Sequence, residues 1–161
     1  MTKLVTFLLV AAWMGPCLAQ DRHSLAGLQG VGVVVDYTDQ LVEGKGSPIG
    51  LSKDDLKVAA ELRLRRNGIR VLTGALPGVL EVGVESFCPE SCVFVIMLRL
   101  HQGVYLKRDP KRSFSAATWY RTTIVMGGTD DPLGFKRQIS DGVGELVDDF
   151  SNDFLAENPK P

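Results

Sequence analysis

The two cysteines in Cys88-Pro-Glu-Ser-Cys92 are the reactive side chains with the most specific spacing in this 161-residue chain. Thiols placed either side of a proline-containing turn suit a tight hairpin, and in an oxidising compartment the pair is expected as a disulfide. So short a loop gains little chain entropy from the cross-link. A redox-active pair is the sharper alternative, but the spacing is not CxxC and no helix opens at it. Zinc at the cysteines would need two more ligands, and His101 lies nine residues beyond Cys92 on what reads as one strand. The histidines, His23 and His101, are far apart in sequence, and no serine elbow, HExxH or P-loop is present. Asp148, Asp149 and Asp153 share a helical stretch and read as a solvated face. Arg63, Arg65 and Arg66 are read the same way in preference to an anion-binding cluster. Gly30 and Gly32 sit at or before a strand with no GxGxxG opening a helix, which excludes a dinucleotide loop. No catalytic residue, cofactor or metal is assigned.

The formal net charge of -1 argues against a nucleic-acid or membrane-surface binder driven by electrostatics. Residues 1–19 read as a signal peptide: Lys3 is positive, Leu4 to Met14 is apolar but too short to anchor stably, and cleavage fits after Ala19. A lipoprotein signal with Cys17 as the lipidated residue is the alternative, poorly matched by Pro16 and Met14. Removing the leader leaves two cysteines and a net charge of -2. Residues 20–161 are then a single exported α/β domain with no further transmembrane run.

The clearest element is the helix that begins after Ser52. Ser52 is an N-cap and Asp55 completes a variant capping box. Leu56, Ala60 and Leu64 form an apolar stripe, and Asn67-Gly68 stops the helix. Before it lie a loose, polar lead-in from Gln20 to Leu28, an apolar run from Gly30 to Tyr37 read as a strand buried on both faces, and a loop from Thr38 to Leu51. After it, Ile69 to Leu72 reads as a strand and Thr73 to Gly78 as a turn. Later come a charged turn, Lys107 to Arg112, and a strand from Ala116 to Val125. A final helix follows Asp131-Pro132 and ends near Asn158-Pro159. Within it, Gly142 and Gly144 suggest close packing on the sheet, since each costs about 1 kcal/mol of helix propensity.

Between these, Leu80, Val82 and Val84 alternate with Glu81, Gly83 and Glu85, and a longer strand runs from Cys92 to about Leu106. If Cys88 faces Cys92, paired residue numbers sum to 180. One face then sets Leu80 by Leu100, Val82 by Leu98 and Val84 by Ile96, while the other sets Glu81 by Arg99. A slip of one residue would destroy both patterns. The expected fold is α+β: a two-layer α/β sandwich of order β-α-β-β-β-β-α, its sheet mostly antiparallel and both helices on one face. The first strand–helix–strand unit should cross over right-handed.

If the helices cover the aliphatic face, the other is open. It carries Phe87, Val93, Val95, Met97 and Arg99 beside Glu81 and Glu85, and Trp119 is assigned to it from the following strand. Such a face is a candidate for binding an envelope protein or for self-association; cover by the lead-in or by loops is the alternative.

Through GLSKDDLKVAAELRLRRNGIRVL, AATWYRTT and DFLAENP, the chain resembles a group of small exported bacterial proteins of unknown function. That resemblance covers most of the chain beyond the leader and implies no activity, cofactor or catalytic residue. The element order is also similar to the amino-terminal α/β domain of the Tol-system propeller protein, a likeness of order alone. The expected function is therefore a non-catalytic exported binding module of the envelope or periplasm. A thiol/disulfide or other small enzyme and a small-ligand carrier are the alternatives.

Overall fold

The computed structural model describes residues 22–38, 42, 49–74, 76–87, 92–127 and 131–159. The expected leader with Cys17, Cys88 and most of the loop before Ser52 lie outside them. Four strands and two helices follow in the order β1 (Gly32–Thr38), α1 (Lys53–Arg66), β2 (Gly78–Phe87), β3 (Cys92–Leu106), β4 (Asp109–Gly127), α2 (Pro132–Glu157), after a short 3₁₀ turn at Arg22–Leu25. The sheet runs β1-β2-β3-β4, with β1 parallel to β2 and the other neighbours antiparallel. It is a mixed, mostly antiparallel sheet in an α+β fold, not a closed barrel.

The helix boundaries follow from their caps. The Ser52 hydroxyl accepts from the Asp55 amide at 3.1 Å, and the Asp55 carboxylate accepts in return from the Ser52 amide at 3.2 Å. Hydrogen bonding from Ser52 to this carboxylate, from the backbone amide first and then the side chain, holds the Asp55 carboxyl below its ordinary range. Gly68 adopts φ 81°, the left-handed residue that ends α1, and the Ile69 amide returns to the Leu64 carbonyl at 2.9 Å. The Asp131 carboxylate accepts from the Gly134 amide at 2.8 Å and opens α2, with Pro132 in its first turn.

Both helices lie on the aliphatic face. Leu80, Val82, Val84, Phe94, Ile96, Leu98 and Leu100 are buried there with Leu56, Ala60 and Leu64 of α1. Phe135 of α2 tilts against Phe94 with ring centroids 4.9 Å apart. Phe150 meets Trp119 edge-on at 5.0 Å, a geometry contributing about 1 kcal/mol beyond its buried area.

Three expectations need correction. Residues 69–72 do not form a strand: one parallel bridge, Val31 with Val71, stands there. Two backbone bonds, from Val31 N to Arg70 O and from Leu72 N to Val31 O, tie this segment to the start of β1 before the chain turns away. The sheet therefore has four strands where five were expected. Its first strand is an edge, not a strand buried on both faces, and Val34 remains 39% exposed. The lead-in is not loose either. Leu25 is fully buried, Ser24 donates to the Thr118 carbonyl, and Asn158 bonds both the Gly27 amide and the Leu25 carbonyl.

Candidate functional site

The open face of the sheet can be read row by row from the strand register. β2 pairs with β3 so that residue numbers sum to 180, from Gly78 with Gln102 to Phe87 with Val93, the register expected from the hydrophobic and charge patterns. β4 then completes each row: Phe87–Val93–Met126, Glu85–Val95–Ile124, Gly83–Met97–Thr122 and Glu81–Arg99–Tyr120. Because side chains alternate along a strand, all of these point away from the helices.

Apart from the exposed Glu85, the first two rows are apolar and open. Phe87 and Met126 are each 71% exposed and Ile124 is 60% exposed. Val93, Val95 and Met97 are half-buried beside them. Gly83 presents no side chain, and the end of Met97 lies over it: a Cβ there would stand 3.4 Å from Met97 Cε. The patch thus continues across a shallow step in the sheet.

A polar cluster bounds the patch. Glu81 is 9% exposed, although it projects from the open face, because its neighbours on β3 close around it. Arg99, directly across, bonds Glu81 Oε1 through its guanidinium, and His101, diagonal to it, places Nε2 3.0 Å from Glu81 Oε2. That histidine nitrogen is close enough for an ion pair but lacks hydrogen-bond alignment, and Arg99 Nε has no partner among the described residues. Two cationic or potentially cationic groups thus compensate one buried carboxylate, so the cluster adds little net charge to the face.

Of the expected site residues, Phe87, Val93, Val95, Met97 and Arg99 share this face. Trp119 does not, and its assignment is corrected. It pairs with Leu100 on the helix side, is 1% exposed, and donates its indole N–H to Asp153 at 3.0 Å. Its sequence neighbour Tyr120 takes the open face instead, with Ile124 and Met126 further along, and none of these three is among the expected site residues. A signal for them was present: folding the charged turn symmetrically about Lys107 and Arg112 already sets Trp119 opposite Leu100. Cys92 opens β3 and is buried, while Cys88 lies outside the described residues.

The acidic group on α2 also divides. Asp149 is exposed, but Asp153 is 7% exposed and not part of a solvated face. It binds Trp119, Arg121 at 3.3 Å and Arg22 at 3.1 Å, joining the lead-in, β4 and α2. Arg121 also lies 5.4 Å over the Trp119 ring. Asp148 pairs with Arg63 and accepts from Asn67 at 2.8 Å, locking α1 to α2. The Arg63 guanidinium is the main reason its carboxyl sits below the ordinary range, with Asn67 adding to the effect. An open hollow of about 420 Å³ beside this pair is lined by Arg63, Asn67, Asp148, Ser151, Asn152 and Leu155. Arg63, Asn67, Asp148 and Ser151 are already engaged with one another there. Among the described residues, no three His, Cys, Asp or Glu side chains gather as a metal site would require, and no helix is long and apolar enough to cross a membrane.

Fold and site together define a two-layer α+β domain with one partly apolar sheet face that no described element covers. No protein-family model and no curated protein matches the sequence. A search of solved structures finds a minor lipoprotein from Acinetobacter baumannii, at 10% identity and a TM-score of 0.43, over 81% of this chain and 95% of that one. A likeness at that level carries no argument about role, and the comparisons do not show the Tol-system resemblance.

Proposed function

We propose that the protein is a non-catalytic exported module that binds an envelope protein through its open sheet face. The observation that carries this reading is the apolar row Phe87–Val93–Met126 together with Val95 and Ile124 of the next row, which the exposed Glu85 borders. Three large apolar side chains lie together there at 60% exposure or more, the kind of contiguous patch that marks interaction surfaces. The Glu81–Arg99–His101 cluster beside it, with Arg99 and His101 half-buried, supplies a polar boundary, as the rim of an interface does. Self-association through the same rows is the second occupant.

Cys88 and Cys92 are assigned as a structural disulfide at the end of this hairpin. The register that pairs Phe87 with Val93 supports that assignment, and export would provide the oxidising compartment.

The test is Val95→Glu, read by crosslinking in cells followed by mass spectrometry, with circular dichroism as the check on folding. A specific crosslinked partner, or a dimer, should be lost at least tenfold while the fold is retained. Unchanged association would sink the reading. Thiol titration of the native protein separates the alternative: a reactive thiol pair would move the assignment to redox chemistry, whereas an inert disulfide supports a binding module.

A further inference from the structure

The β3–β4 hairpin outruns the sheet. β2 reaches no further along β3 than Gln102, so among the described residues the ribbon beyond it, from Gly103 through the turn to Ser115, has no third strand beside it. A two-stranded ribbon that projects past its own core needs a reason, since it gains little from packing.

Its side chains supply one. Between residues 105 and 114 stand Lys107, Arg108, Lys111 and Arg112 against a single acid, Asp109, a net charge of +3 in a chain of net charge -1. Among the described residues Asp109 holds Arg112 alone, at 3.2 Å, and that arginine side chain is still 78% exposed. The tip is also amphipathic in a particular way. Tyr105 is 68% exposed and Phe114 45%, and they lie on opposite faces of the ribbon because Val104, not Tyr105, pairs with Phe114. Val104 and Leu106 add half-buried aliphatic surface. A projecting tip with a ring on each face and cations at the turn matches the boundary between lipid headgroups and acyl chains. Aromatic rings settle at that level, and lysine and arginine reach anionic headgroups.

We infer that the β3–β4 hairpin tip is a second binding site, distinct from the open sheet face, that docks the protein onto an anionic lipid surface. Four cations are few for a nucleic-acid site, where six or more phosphate contacts are usual, and the aliphatic pair would have no role there. The formal charge of the whole chain gives no sign of such a site, because the acids elsewhere offset the tip.

The experiment is co-sedimentation of the full-length protein with vesicles of phosphatidylcholine containing phosphatidylglycerol, against phosphatidylcholine alone. Comparing variants in one background keeps any contribution of residues 1–21 constant. Binding should require phosphatidylglycerol and weaken with salt. Each cation removed should cost about fivefold in partitioning, so that Lys107→Ala with Arg108→Ala falls more than about tenfold. Phe114→Ser should lose severalfold at unchanged charge, and circular dichroism should show both variants folded. As an independent readout, Tyr105→Trp should blue-shift in fluorescence on adding the anionic vesicles. Equal binding to neutral vesicles would overturn the inference, as would retention in the double variant or a preference for duplex DNA over the anionic vesicles.

Discussion

Removing the Asp153 carboxylate should be among the most damaging single changes to this fold. In Asp153→Ala the Trp119 indole N–H, 1% exposed as a residue, loses its acceptor, which costs about 1–3 kcal/mol for a buried donor. Arg121, with its side chain 31% exposed, loses its counter-charge while still stacked on Trp119. Breaking a fully buried pair costs about 3–5 kcal/mol, and partial exposure of Arg121 lowers that range. Arg22 is 59% exposed and regains water, so its share is about 0–1 kcal/mol. The expected total is about 3 kcal/mol, or roughly 10 °C in Tm for a domain of this size. Urea titration at neutral pH should show the loss as a lower midpoint at unchanged slope. Asp149→Ala, one turn away and exposed, should stay within about 0.5 kcal/mol. A double-mutant cycle with Trp119→Phe should give a coupling of about 1 kcal/mol or more. A loss below about 1 kcal/mol for Asp153→Ala, or strict additivity in the cycle, would refute the role given to this carboxylate.

Two glycines only two residues apart, on different sides of α2, should respond in opposite directions to the same change. A Cβ on Gly142 would stand 2.6 Å from Ile96 Cδ1 and 3.3 Å from Thr123 Cγ2, and Ile96 is fully buried with no room to yield. Gly142→Ala should therefore cost about 1 kcal/mol net, overpacking outweighing helix propensity, whereas Gly144→Ala meets nothing within 4 Å and should gain up to about 1 kcal/mol. Scanning calorimetry decides it, and a Tm raised equally by both changes would contradict the packing of α2 on the sheet. On acidification, the lowered carboxyls of Asp148 and Asp55 contribute stability that is present above their ordinary value of 3.8 and lost as pH falls through their lower folded values. Asp148→Asn should reduce stability at neutral pH and flatten its decline below that value. An unchanged acid-unfolding profile would show that the Arg63 pair contributes nothing.

Much of this was legible in the chain because it is local or governed by strict periodicity. Ser52, Asp55 and Gly68 set the ends of α1 through bonds spanning a few residues, and Asp131-Pro132 does the same for α2. The β2–β3 register was legible because a one-residue slip would turn Leu80, Val82 and Val84 outward and separate Glu81 from Arg99. What the chain did not reveal by itself was neighbourhood across long separations. Ile69 to Leu72 has strand composition, but whether it becomes a strand depends on finding an edge to pair with, and the β1 edge offers it only one bridge. Asp153 has the spacing of a solvated helix residue. Only the approach of Arg22 and Trp119, from far along the sequence, turns it into a buried cross-brace. The exposure of Phe87, Ile124 and Met126 was likewise decided by tertiary structure, which placed both helices on the other side of the sheet. Periodicity tells which residues share a face; which face stays bare depends on what packs against it.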